Sequence, residues 1–186
     1  IRNIIPDGVT CIFIRQAEPL GLGHAVLCAK PVIGDQPFVV ILPDDLIDDK
    51  NHGVTKQLVD IFQQEEKSII AVEYVTKEDV SKYGIVDVSA TKDKPLTEIT
   101  GILEKPKPDE SPSTLGVIGR YILTSRIFDC LEKTSTGVGN EIQLTDAIRI
   151  LLDKELVYAY KFEGTRYDCG SKLGYMQASI QYALKD

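Results

Sequence analysis

Two adjacent carboxylates, Asp44 and Asp45, follow Pro43 at the end of an apolar run, Phe38-Val39-Val40-Ile41-Leu42. A run this short and this rich in Val and Ile reads as a buried strand of an α/β sheet, and such sheets collect ligands at strand carboxyl ends. Aspartate is a poor strand residue and is rarely buried without a partner, so the pair has the chemistry of a cation site with hard oxygen donors. A Pro-Asp-Asp turn with an aspartate cap accounts for the same residues. Asp168, in Asp168-Cys169-Gly170, stands at another strand end and reads either as a turn residue or as a second carboxylate beside Asp44.

Other groups suit a hydroxylated, phosphorylated ligand. Glu104-Lys105-Pro106 closes an apolar run; a Glu accepts hydrogen bonds from sugar hydroxyls, and a neighbouring Lys neutralises a phosphate as a point charge. A solvated pair before a proline turn explains it equally well. Gly21-Leu22-Gly23-His24-Ala25 lies between a strand candidate and a helix, where glycines admit a ligand to the backbone and free amides point outward. It lacks the third glycine of a dinucleotide fingerprint and the Gly-Lys-Ser/Thr of a P-loop. Gln16, just upstream, has an amide able to read the edge of a base, or is an ordinary exposed side chain. Tyr83-Gly84 and Gly119-Arg120-Tyr121 read as ligand contacts or as strand-end packing. Polar residues from Gly139 to Asp146 crowd the start of a helix, which capping and a buried polar network together explain.

Composition removes several classes of function. With 186 residues and 43% hydrophobic content the chain can build one substantial core. A net charge of -7 argues against a general nucleic-acid or anionic-membrane surface. No apolar stretch approaches the roughly 20 residues of a membrane span, and a cytoplasmic location is expected. Cys11, Cys28, Cys130 and Cys169 form no Cys-x-x-Cys pair, so reduced thiols are expected rather than zinc or a dithiol centre. His24 and His52 are the only histidines, which leaves little room for a Ser-His-Asp arrangement.

The elements that position these groups alternate along the chain, the pattern of an α/β sandwich with a largely parallel sheet. Strands are expected at 10–15, 38–42, 68–74 and 157–162, and helices at 23–29, 53–66, 125–133, 142–154 and 171–184. Ser125 and Ser171 are expected helix caps. Between 83 and 123, short β-rich runs (84–88, 96–103, 115–123) separated by Lys, Asp, Pro and Ser clusters predict antiparallel hairpins appended to the sheet.

Taken in order, Gly21-Leu22-Gly23-His24-Ala25, Leu42-Pro43-Asp44, Tyr83-Gly84, Glu104-Lys105-Pro106, Gly119-Arg120-Tyr121, Glu141 to Asp146 and Asp168-Cys169-Gly170 make the chain resemble the bacterial UTP-glucose-1-phosphate uridylyltransferases over nearly its whole length. The resemblance implies a Rossmann-like, mixed, mostly parallel sheet flanked by helices, with an added antiparallel sugar-binding part. It implies uridylyl transfer from UTP to glucose 1-phosphate, giving UDP-glucose and pyrophosphate, by Mg2+-assisted in-line attack on the α-phosphorus. Carried over, Gln16 and Gly21 contact uracil, and Asp44 and Asp168 hold Mg2+. Gly84 and Glu104 bind the glucose hydroxyls, Lys105 binds the sugar phosphate, Tyr83 and Tyr121 are further substrate contacts, and Lys105 and Asp44 are the catalytic pair. Small-molecule partners and a homo-oligomer, without nucleic acid or membrane, follow from the same resemblance.

The family's Gly-x-Gly-Thr-Arg loop, which cradles the triphosphate, does not occur in this sequence, and Ile1 is not an initiator. The expectation is a single domain, residues 1–186, forming the C-terminal portion of a longer chain and not performing the transfer by itself. Thymidylyl or guanylyl transfer, or a non-catalytic sugar-nucleotide-binding module, are the competing readings. The sequence upstream of Ile1 discriminates the module from the enzyme.

Overall fold

The computed structural model describes residues 6–49, 52–89 and 94–185. In chain order the elements are α1 (Leu22–Cys28), α2 (Lys30–Ile33), β1 (Phe38–Ile41), β2 (Asp45–Asp48), α3 (Val54–Glu65), β3 (Ser68–Tyr74), β4 (Gly84–Val88), β5 (Leu96–Glu104), β6 (Leu115–Leu123), α4 (Arg126–Leu131), α5 (Leu144–Leu152), β7 (Val157–Lys161), β8 (Thr165–Asp168) and α6 (Lys172–Ala183). Six strands form one sheet in the order β1, β6, β3, β7, β5, β4, while β2 and β8 pair as a separate ribbon.

The sheet is mixed and flanked by helices, as expected, but it is not mostly parallel. Among the described residues only β3 and β7 pair in parallel; the other pairings are antiparallel. The reason is β6. Strands β1 and β3 run the same way and are joined through α3, but β6 inserts antiparallel between them instead of staying in an appended hairpin. Side chains alternate across these strands. Ile70, Val72, Val117 and Tyr121 face α1, α4 and α5, and Ile69, Ala71, Ile118 and Ile122 face Val54 and Leu58 of α3. Burial on both faces explains why β3 and β6 read as continuous apolar runs.

Two apolar runs behave differently from expectation. Residues 10–15 form no strand, because among the described residues nothing pairs with them, and Phe13 is 96% exposed. Among the described residues the run at β1 is an edge strand rather than a buried one: it pairs there with β6 alone, and Val39 and Ile41 are exposed. Ser125 precedes α4 with helical backbone and its hydroxyl caps nothing. Ser171 does cap α6, accepting a hydrogen bond from the Gly174 amide at 3.0 Å. All four cysteines are free. Among the described residues no helix is long and apolar enough to cross a membrane.

The far end of the sheet curls. Strand β4 pairs with β5 and also reaches β6 through Ile85 and Gly116, so β6, β3, β7, β5 and β4 make a ring around the α5 side of the core. The hairpin β4–β5 therefore ends beside the carboxyl end of β1.

Candidate functional site

Antiparallel register brings the singled-out residues together in two pairs. In the β2–β8 ribbon Asp45 sits opposite Asp168, which places Asp44 next to the Asp168 turn; the Cys169 amide donates to the Asp44 carbonyl at 2.7 Å. In the β4–β5 hairpin Gly84 sits opposite Glu104. Both pairs open into one cavity of about 360 Å3, whose lining includes Asp44, Asp168, Tyr83, Gly84, Glu104, Lys105 and Tyr121. That volume is within the usual range for a small-molecule site.

At the β4–β5 end, Glu104 is nearly covered. Its Oε2 accepts the Thr145 hydroxyl at 2.8 Å, and Lys105 Nζ lies 3.4 Å from its Oε1. Gly84 must lack a side chain, since a Cβ there would come within 2.6 Å of the Thr145 methyl. Lys105 is held in the left-handed region (φ 45), with its amide donating to the Tyr83 carbonyl at 3.0 Å. A non-glycine residue fixed in that region inside a cavity marks a constrained site. Tyr121 is buried from β6, and burial pushes its phenol well above the ordinary range, so it stays a neutral hydroxyl.

At the carboxylate end, a Cβ on Gly170 would lie 3.1 Å from Asp168 Oδ1 and 3.3 Å from Asp44 Oδ2. Asp168 Oδ1 accepts the Gly170 amide at 3.0 Å, so both carboxylates border the Gly170 turn, and two such hard-oxygen donors have the chemistry of a divalent cation of the Mg2+ type. Among the described residues no group of three or more His, Cys, Asp or Glu gathers as a protein-only metal cage. Mg2+ typically keeps one or two carboxylates and completes its shell with water and phosphate.

Asp45 has a different role. Its Oδ2 accepts the Gly119 amide at 2.7 Å, and its Oδ1 takes the Arg166 Nε. Arg166 also donates to Glu73 at 2.8 Å and to the Tyr83 hydroxyl at 3.2 Å, with its guanidinium carbon 5.1 Å from the centre of the Tyr83 ring. Burial works against the Arg166 charge, but the bonds to Tyr83, Asp45 and Glu73 outweigh it and raise its pKa above the ordinary value. Arg120 tightens the same turn by donating to the Leu42 and Asp45 carbonyls at 2.9 and 2.7 Å. These cations tie the β1 turn, the β2–β8 ribbon and Tyr83 into one unit.

Arg166 was not legible as a site residue in the sequence. Its one signal is spacing, since it stands two residues before Asp168 and so on the same face of β8. Gln16 and Gly21 are not among the lining residues. Gln16 Nε2 instead holds the Gly21 carbonyl and the His24 ring, both at 3.0 Å. The turn adjoins the cavity through Leu22 and Glu141, which do line it; a Cβ on Gly21 would come within 2.7 Å of Glu141 Cβ.

The α6 start fixes the Asp168 turn by close approach. A Cβ on Gly174 would lie 2.0 Å from the Asp168 carbonyl oxygen, backbone that cannot swing aside. Gly174→Ala is expected to lower stability by about 1–3 kcal/mol, read as the urea midpoint, because the helix must shift off the ribbon. An unchanged midpoint would contradict this packing.

The sequence pattern of the nucleotidyl transferase family matches residues 2–185. A UTP-glucose-1-phosphate uridylyltransferase of Staphylococcus epidermidis is 47% identical over 180 residues, which is 97% of this chain and 62% of the relative. The chain thus spans somewhat under two thirds of that relative's length. A crystal structure of a UDP-glucose pyrophosphorylase complexed with UDP-glucose superposes with a TM-score of 0.89 at 45% identity, covering 93% of this chain and 66% of that one. The UTP-bound enzyme of Acinetobacter baumannii gives 0.88 at 42% identity, over 100% of this chain and 64% of that one.

Proposed function

Because the chain belongs to the nucleotidyl transferase family, we propose that it carries the sugar-nucleotide site of a UTP-glucose-1-phosphate uridylyltransferase. The observation that supports this most is the register that sets Gly84 opposite Glu104, with Lys105 adjacent, in the same cavity as Asp44 and Asp168. In the proposed reaction an oxygen of glucose 1-phosphate attacks the α-phosphorus of UTP in line, the bond to pyrophosphate breaks, and UDP-glucose forms. Two polyanions must meet, so positioning and charge screening matter more than a general base.

Glu104 accepts from glucose hydroxyls, its second oxygen being held by Thr145 so that the carboxylate is aimed before the ligand arrives. Gly84 lets the sugar approach backbone, and the Tyr83 and Tyr121 rings wall that end. Lys105, adjacent to Glu104 in the cavity wall, binds the sugar phosphate, and its charge lowers repulsion on the attacking side. Asp44 and Asp168 would hold Mg2+, which when bound spreads charge on the nucleotide phosphates. Gln16 and Gly21 contact uracil in this reading, which the Gln16 bond to the Gly21 carbonyl and the place of the adjacent Leu22 in the cavity wall support. The curled β4–β5 part is the sugar-binding portion of a Rossmann-like domain. A homo-oligomer in the cytoplasm belongs to the same proposal, in keeping with Leu173, Met176 and Ile180 exposed on α6 and four free thiols.

Titration calorimetry of this chain with UDP-glucose tests the reading. One-to-one binding is expected, tighter with Mg2+ than with EDTA, and in Asp168→Asn the Mg2+ effect should vanish while metal-free binding persists. Absence of binding, or a Mg2+ effect that survives Asp168→Asn, would overturn it.

A further inference from the structure

We propose a second ligand site, at the opposite end of the β4–β5 hairpin from the carboxylates, that takes a small organic anion with a flat apolar body. Five strands that close into a ring leave an open mouth where their ends diverge, and barrel mouths are common ligand sites. The mouth here is a cavity of about 490 Å3, to which all five strands contribute. Its floor is apolar, from buried Val72, Leu115 and Ala159, with the Tyr74 ring to one side.

The rim is cationic. Among the described residues, Lys77, Lys94 and Lys161 line the cavity against the single carboxylate Asp87, and none of the three lysines makes an ion pair. Lys161 Nζ instead lies 5.5 Å from the centre of the Tyr74 ring. In a chain of net charge -7, three lysines gathered around an apolar floor select an anion, and the floor selects one with a body to bury. The walls are preformed. Ser113 ties the loop before β6 to β4 by donating to the Val86 carbonyl at 2.6 Å and accepting the Leu115 amide at 3.0 Å. The Lys161 amide donates to the Pro95 carbonyl at 2.8 Å, and the Val75 amide to the Thr114 carbonyl at 2.9 Å.

The two cavities share no lining residue, and β4 runs from one, at Gly84, to the other, at Val88. The second site therefore does not depend on the assignment of uridylyl transfer.

Anilinonaphthalene sulfonate, a flat aromatic anion, is the probe for this chain. We expect saturable one-to-one binding by fluorescence, unaffected by saturating UDP-glucose, with backbone amide shifts at Tyr74, Thr97 and Leu115. The triple variant Lys77→Met, Lys94→Met, Lys161→Met keeps the apolar stems and should weaken binding about tenfold, roughly a factor of two per rim charge. Its amide spectrum away from the mouth should match the parent, which separates lost charge from lost fold. Displacement by UDP-glucose, shifts centred on residues 9–14 or α6, or an affinity unchanged in the triple variant would each overturn the proposal.

Discussion

Arg166→Met is expected to destabilise the chain by about 3–5 kcal/mol, the cost of removing one partner from a buried ion pair. The side chains of Arg166 and Asp45 are 9% and 10% exposed, so water from the cavity they border replaces the lost guanidinium only in part. Asp45 would keep one hydrogen bond, from the Gly119 amide, but its Oδ1 and the Glu73 carboxylate would be left facing each other across an apolar side chain. The measurement is urea unfolding. The double variant Arg166→Met, Asp45→Asn should recover part of the loss, because the uncompensated charge has gone. A loss under about 1 kcal/mol in the single variant, typical of an exposed pair, would mean that this network is not a closed unit.

The network also separates the two aspartates that look alike in the sequence. Asp45 points inward and holds β6 and β8 together, whereas Asp44 points toward Gly170 and the cavity. The Pro43-Asp44 turn accounts for the division: Asp44 lies in the turn and Asp45 opens β2, so the two carboxylates meet different partners although both border the cavity. A cation site was one reading of the motif and a structural turn the other; the pair contains a residue suited to each.

Most elements were legible because their apolar periods are strong. α3, α5, β3, β6 and β7 lie within a residue or two of where the pattern places them. Pairing order was not legible, because period 2 gives the faces of a strand and not its neighbours. The run at 10–15 and the run at β1 are both short and apolar, yet among the described residues only the second finds a partner. Likewise β6 reads as one more hairpin strand, and its insertion between β1 and β3 depends on contacts far away in sequence. The candidate site was legible where a motif carries it, as with Asp44, Glu104, Lys105 and Asp168. It was not legible where tertiary geometry carries it. Thr145 reaching Glu104 and the left-handed backbone of Lys105 have no local signature, and Arg166 bridging Asp45 and Glu73 has only its spacing from Asp168.

Glu104→Ala is expected to weaken UDP-glucose binding by about 10- to 100-fold, the loss of roughly 1.5–3 kcal/mol for hydrogen bonds to a charged acceptor. The effect should be specific to the sugar. Glu104 is set opposite Gly84 and next to Lys105, at the hairpin end of the cavity, and Asp44 and Asp168 converge at the Gly170 turn. UDP, which has no glucose, should therefore bind the variant nearly as well as the parent. Stability should change little, since the Glu104 carboxylate lies at the cavity wall and the Thr145 hydroxyl it releases can take water there. Glu104→Gln, which keeps the shape and one acceptor but loses the charge, should fall between the two. Calorimetry with both ligands on all three proteins reads the outcome. Equal losses for UDP and UDP-glucose would move Glu104 from the sugar to the nucleotide or to the fold, and would remove the main support for a glucose site at this end of the hairpin.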